Sequence, residues 1–236
     1  MLRTVLLILV FVLILAACGG QNVQTSAPPV TAVEPVATQP QVVEPTPTPP
    51  ASIQPPVGLT VFQIVPGESQ LKYEVYETFI DQNNRLNLAV GVSPQVTGEI
   101  HVDPTTPGNS TLGIITADIS QFQSDSSRRD NALRNRFIES ARYPIVTFTA
   151  QSVEGLPTTY PDGEEISLKI SGDLTIRDVT KPVTFDAKVK LTGDTLSGEA
   201  VTTILMSDFG FGPISIGGIL NTEDEAKVTL TFLARP

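Results

Sequence analysis

From residue 61 onward apolar and polar side chains alternate with a period of two, which is the pattern of strands that bury one face and wet the other. It is cleanest in Ile166-Ser167-Leu168-Lys169-Ile170-Ser171-Gly172-Asp173-Leu174-Thr175-Ile176. Val183, Phe185, Ala187, Val189 and Leu191 repeat it against Thr184, Asp186, Lys188 and Lys190. Less regular segments follow the same rule at 69–79, 96–102, 111–122, 145–153, 196–207 and 226–234. Turn signals such as Pro107-Gly108-Asn109, Pro161-Asp162-Gly163 and Thr192-Gly193-Asp194 separate them. The pattern predicts an all-β domain of about eight consecutive antiparallel strands. One apolar face per strand suits a closed barrel, which also leaves no exposed edge. A two-sheet sandwich gives nearly the same pattern, and periodicity alone does not separate the two.

One segment breaks the alternation. Ser127 to Ile138 reads SRRDNALRNRFI, with Ala132, Leu133, Phe137 and Ile138 at helical spacing and Asp125, Ser126 or Ser127 available as a cap. It predicts the one substantial helix of the domain. Leu133 and Phe137 would lie on the sheet, while Arg128, Arg129, Arg134 and Arg136 face water or pair with acids.

The first sixty residues are of a different kind. Residues 1–18 read MLRTVLLILVFVLILAAC, with Arg3 ahead of an apolar run from Val5 to Leu15 and small residues before Cys18. This is the layout of a signal peptide, and the run is short of the roughly 20 apolar residues a spanning helix needs. Leu15-Ala16-Ala17-Cys18 resembles the lipobox of bacterial lipoproteins, which makes Cys18 the expected site of a lipid anchor. Acyl chains contribute about 0.8 kcal/mol per buried CH2, so two or three of them hold a protein to a membrane. The alternatives are an ordinary leader with an incidental cysteine and an uncleaved N-terminal helix. Residues 19–60 contain ten of the twenty prolines and no aromatic residue. Such a stretch cannot form a core and reads as a tether. The domain organisation expected is therefore 1–18 leader, 19–60 tether and 61–236 barrel, in an extracytoplasmic protein anchored to the bacterial cell membrane.

Charge and chemistry narrow the function. The formal net charge of −10 makes nucleic acid an unsuitable partner, and the scattered lysines form no polybasic patch. The one histidine is His101 and the one cysteine is Cys18, so Ser-His-Asp, Cys-His and histidine–metal sites cannot be assembled. His101 sits between Ile100 and Val102 in the alternation and reads as a surface strand residue. Acidic clusters at Asp162-Gly163-Glu164-Glu165 and Glu223-Asp224-Glu225 lack the spacing of a calcium loop and read as solvated turns. Glu74 and Glu77 are available as a carboxylate pair, with nothing in the sequence to favour them. No catalytic residue, metal or cofactor is expected.

Several short motifs occur in order: Arg129-Asp130 with Leu133 and Phe137, then Tyr143-Pro144 with Thr147-Phe148. Gly172-Asp173-Leu174-Thr175-Ile176 with Val179-Thr180 follows, and then Ser207-Asp208-Phe209-Gly210-Phe211. In this order and spacing the chain from about 62 to 235 resembles the YceI-like family of periplasmic and secreted polyisoprenoid-binding proteins. The resemblance implies a lipocalin-like antiparallel barrel with a long apolar tunnel that holds an isoprenoid chain such as a quinone tail. The segment after Phe79 departs from it, carrying Asn83, Asn84 and Asn87 where members have a tidier strand. An irregular barrel mouth is therefore expected near 80–95.

The function expected is binding or carriage of a long apolar lipid. The alternatives are a structural or adhesion module with a solid core, or an enzyme acting on a lipid held in the barrel. Inward positions expected to line a tunnel are Leu168, Ile170, Leu174, Ile176, Phe185, Val189, Ile204 and Met206, with Phe148 and Phe209 added if the barrel is hollow. Arg129 and Asp130 are expected to tie the helix to a strand end rather than to meet a ligand headgroup. Asp208 is expected to cap its turn.

Overall fold

The computed structural model describes residues 58–236, and within them the chain winds eight times up and down a closed ring. The first stave, β1, is Thr60–Ile64 continued by Gln70–Phe79. The second, β2, is Arg85–Ser93, Val96–Thr97 and Glu99–Val102. The third, β3, is Thr111–Leu112, Ile114–Asp118 and Gln123–Ser124. Then come β4 (Ile145–Glu154), β5 (Glu165–Ile176), β6 (Val179–Thr192), β7 (Thr195–Leu205) and β8 (Glu225–Arg235). Each stave pairs antiparallel with the next, and β8 returns to β1 through Gln63↔Arg235 and Lys227↔Glu74. A sandwich would leave open edges between its two sheets. Here every stave has a hydrogen-bonded partner on both sides, the β2–β3 seam through three two-residue ladders, so the fold is a barrel.

Long staves follow from long alternation. Twelve residues of β5 pair with twelve of β6, from Glu165↔Lys190 to Ile176↔Val179. The expected irregularity after Phe79 takes a more ordered form. Arg85–Ser93 pairs without a break along Leu71–Phe79. Asn83 and Asn84 make the turn at φ 55° and 57°, in the left-handed region that asparagine tolerates better than most residues. Asn87 is an inward residue whose amide donates to Glu77 at 2.9 Å. The Thr60–Ile64 part of β1 was missing from the predicted segments because Val61-Phe62 and Ile64-Val65 set apolar residues side by side, which hides the alternation that buries Phe62 and Ile64.

Interior space is shaped by glycine. Gly91 lies opposite Tyr73 and Gly198 opposite Phe232, and in each case the aromatic ring covers the place where a Cβ would stand. Aromatic cover of a strand glycine lets a stave bend without opening a void.

The helix predicted at Ser127–Ile138 is present in two parts, an α-helix α1 at Ser127–Ala132 and a π-helical turn at Leu133–Phe137. Ser126 is the cap, accepting from the Arg129 amide. The helix lies across one end of the barrel, together with the turn 80–84, the turn at Arg177–Asp178 and the segment 206–224 with its small hairpin Ser215–Ile216/Leu220–Thr222. This is called the helix end below. The loops 103–110, 155–164 and 193–194 form the far end.

Candidate functional site

Inward side chains of all eight staves do not meet in the middle. They surround a cavity of about 420 Å³ that runs from Ser110, Leu156 and Tyr160 at the far end to Leu133, Phe137 and Ile219 at the helix end. The volume lies in the range of ~300–1,000 Å³ typical of ligand sites. Its wall is built from the odd or even set of each stave: Val75 and Ala89, Ile115 and Ala117, Leu174 and Ile176, Phe185 and Ala187, Ala200 and Ile204, Val228 and Phe232. Phe148 and Phe185 meet edge to face, their rings 5.0 Å apart at 75°, which stiffens the wall midway along.

Polar groups in the wall are few and gather at two places. At the helix end Arg129 reaches down from α1, and its Nη2 donates to Glu77 Oε1 at 2.6 Å. Glu77 is only 4% exposed and Arg129 16%. Nη1 of the same guanidinium donates to Ser124 Oγ at 3.1 Å and pairs with Asp125. Burial works against the Arg129 charge, but hydrogen bonds and charges from Glu77 and Asp125 outweigh it and raise its pKa. Beside this pair stands Tyr73, edge-on to Phe122 at 5.0 Å. Its buried hydroxyl makes no hydrogen bond among the described residues. Burial pushes that phenol up to about 12, so it stays a neutral donor at any physiological pH. At the far end Ser110 and Tyr160 share a hydrogen bond of 2.8 Å. The Ser110 hydroxyl also accepts from the Asp103 amide at 2.9 Å.

Of the expected tunnel residues, Phe148, Leu168, Ile170, Leu174, Ile176, Phe185, Val189, Ile204 and Met206 stand in the cavity wall. Phe209 does not. It is 2% exposed and packs in the core at the Met206–Phe209 turn, outside the lining. The alternation that carries Ile204 and Met206 inward ends there, because a 3-10 turn has a different period. Asp208 is exposed and caps nothing among the described residues. Asp224 does that work, accepting from the Ser207 amide at 2.8 Å and from its hydroxyl. Asp130 ties α1 down, accepting from the Ser124 hydroxyl at 2.6 Å and its amide at 3.1 Å. Arg129 ties it to β1 at Glu77 and lines the cavity as well. His101 lies on β2, its Nε2 3.3 Å from Glu99. Cys18 lies outside the described residues.

Sequence reasoning passed over Glu77 and Tyr73. The signal was present: in Tyr73-Glu74-Val75-Tyr76-Glu77-Thr78-Phe79 the inward set is Tyr73, Val75, Glu77 and Phe79, so a carboxylate sits at an interior position. Such a position calls for a partner, and Arg129 supplies it.

A ring of eight antiparallel staves, hollow along an apolar axis and with a short helix across one end, is a lipocalin-like barrel. Residues 62–234 match the YceI-like domain, and the chain belongs to that family. Protein YceI of Escherichia coli O157:H7 is 35% identical over 129 residues, which are 50% of this chain and 63% of that protein. The chain therefore aligns with less than two thirds of that relative. Protein YceI of Salmonella newport (strain SL254) is 29% identical over 170 residues, 66% of this chain and 84% of the relative. Among solved structures, Burkholderia cenocepacia BcnA superposes with a TM-score of 0.53 at 18% identity, covering 72% of this chain and 98% of BcnA. A polyisoprenoid binding domain from Saccharophagus degradans, implicated in plant cell wall breakdown, gives 0.54 at 12% identity, covering 74% of this chain and 97% of that domain. At these identities the likeness is one of fold.

Proposed function

We propose that the domain binds a long apolar lipid, of isoprenoid or quinone type, along the barrel axis. The observation that carries this reading is the cavity itself, apolar along its length and reaching from one set of loops to the other. A compact ligand would need a short chamber, whereas a chain-like one fits a bore. At about 0.3 kcal/mol per heavy atom, a chain of some forty carbons has a ceiling near 12 kcal/mol, so tight binding needs no charged contact. The polar corner of Tyr73, Arg129 and Glu77 offers a place for a polar ligand end, with the Tyr73 hydroxyl free to donate. The solved polyisoprenoid binding domain of like fold supports the same ligand class. A module with a solid core is disfavoured by the hollow interior.

The role is that of a carrier or store rather than an enzyme, in a protein held at the outer face of a cell membrane by acyl chains on Cys18. The residues that support anchoring are Leu15-Ala16-Ala17-Cys18. Native mass spectrometry and organic extraction of the purified protein test the ligand. One retained isoprenoid lipid per chain is expected, and delipidated protein should take up an isoprenoid quinone. Protein that leaves the cell without lipid and binds no quinone would refute the carrier reading. Cys18→Ser should abolish palmitate labelling, and equal labelling of both forms would refute the anchor.

A further inference from the structure

Charge is unevenly distributed along the barrel axis. The far-end loops 103–110, 155–164 and 193–194 contain Asp103, Asp162, Glu164 and Asp194 and neither lysine nor arginine. Arg85, Arg128, Arg134, Arg136, Arg142 and Arg177 belong to the helix end, in addition to the half-buried Arg129, and stand there among Asp81, Asp125, Asp130, Glu139, Asp178, Asp208, Glu223 and Asp224, so charges nearly balance at this end while the far-end loops carry acids alone. Four of them lie over aromatic rings there: Arg85 over Phe79 at 4.6 Å, Arg142 and Arg177 over Tyr143 at 4.9 and 5.6 Å, and Arg136 over Phe137 at 5.1 Å.

Beside these cations the rim exposes several large apolar side chains, interrupted at the turn by Asp81, Gln82, Asn83 and Asn84. Leu86 is 72% exposed, Tyr76 54%, Ile219 42%, Leu88 41% and Ile80 40%. The five adjoin one another. Tyr76 stands opposite Leu88 and Thr78 opposite Leu86 on the outer face of β1 and β2, and the Ile80 amide donates to the Ile219 carbonyl at 2.7 Å. Ile219 belongs to this patch and to the cavity wall at once, as its neighbour Leu220 also lines the cavity. The outer patch and the bore therefore form one apolar surface that passes over the rim.

We propose that the helix end docks on the surface of an anionic lipid bilayer, and that the ligand passes between bilayer and bore past Ile219 without entering water. The proposal rests on the lipid-carrier reading. Leucine and isoleucine side chains gain free energy on leaving water for the acyl boundary. Arginines beside aromatic rings can bury their stems while the guanidinium meets lipid phosphate. An acidic far end is repelled by the same surface. The position of Thr60 is compatible with this orientation. It opens β1 at the far end, opposite Val102, so a short link to Cys18 would hold the wrong end against the membrane. Residues 19–59 have a contour of up to ~130 Å at ~3.1 Å per residue, against about 40 Å for a twelve-residue stave. The link is long enough for the barrel to stand with either end down.

The chain has no tryptophan, so a single introduced one reports its own surroundings. The full chain carrying Leu86→Trp or Asp194→Trp is reconstituted in vesicles of phosphatidylethanolamine and phosphatidylglycerol, or of phosphatidylcholine alone. The expected result is a blue-shifted emission quenched by brominated lipid for Leu86→Trp in the anionic vesicles, and water-like emission for Asp194→Trp in both. Water-like emission from Leu86→Trp in the anionic vesicles, or equal quenching at the two ends, overturns the proposal. So does a blue shift of Leu86→Trp that depends on protein concentration and not on vesicles, which would assign the patch to a second copy of the chain. In a parallel measurement, Leu86→Glu with Leu88→Glu should slow uptake of an isoprenoid quinone from anionic vesicles several-fold and leave its binding in detergent unchanged. Unchanged uptake overturns the docking. Wild-type protein that binds no quinone in detergent refutes the carrier reading instead, so the two failures are distinct.

Discussion

Arg129 links three parts of the molecule: Ser124 at the end of β3, Asp125 beyond it and Glu77 on β1. A buried ion pair contributes little over a well-packed apolar pair, but removing one partner leaves the other charged and desolvated. Arg129→Met should therefore cost about 3–5 kcal/mol in urea denaturation, and adding Glu77→Gln should recover most of it. Asp103 acts at the opposite end. Its carboxylate accepts from the Thr106 and Thr105 amides at 2.8 and 3.0 Å, the Thr105 hydroxyl at 2.8 Å and Asn109 at 3.0 Å. These bonds hold its pKa at about 2, below an ordinary value of 3.8. A depressed folded pKa means stability that is present above the unfolded pKa and lost as pH falls through the folded one. The stability gap between wild type and Asp103→Asn should thus be constant above pH about 4 and close towards pH about 2, as acid titration of a denaturation midpoint will report. Asp103 could not be read from sequence, since it is marked only by the partners that the fold brings to it, whereas Glu77 shows itself by its inward place in the alternation.

At the scale of elements, legibility followed burial. β5 and β6 were plain because nearly all of their outward residues are charged or hydroxylic and most of their inward ones apolar, so the signal repeats along each stave. β2 was obscured by polar residues that have structural reasons: the turn uses Asn83 and Asn84, and Asn87 serves Glu77. The π-helical turn at Leu133–Phe137 was equally hidden, because its backbone spacing leaves the apolar positions almost where an α-helix would put them. Glycines within staves carry no pattern, yet some are fixed by their neighbours. A Cβ on Gly172 would stand 2.3 Å from the Thr149 carbonyl oxygen and 2.8 Å from Ala150 Cα, at a shift of register between β4 and β5. Gly172→Ala should cost about 1–3 kcal/mol. Gly108→Ala, which meets nothing within 4 Å, should be near neutral in the same denaturant titration.

For the whole molecule, the alternation announced a one-sided sheet but could not say whether opposite inner faces touch. That depends on ring size, which is a matter of pairing and stagger and not of any residue's polarity. Hollowness is open to a direct test. Leu168→Trp and Val189→Trp should leave the lipid-free domain about as stable as wild type while lowering displacement of a fluorescent lipid by an isoprenoid quinone. In a packed core the same changes would cost ~1–3 kcal/mol. The ring also has a clasp. Its first and last staves are joined through Gln63↔Arg235 and Ile64↔Ala234, contacts between residues nearly the whole domain apart. Contacts so distant in sequence form late, because they close the largest loop. Take away Glu225–Arg235 and the remaining seven staves have two unpaired edges, one on β1 and one on β7, so that the bore becomes an open groove. The stave that completes the ring is thus also the one that turns a groove into an enclosed space.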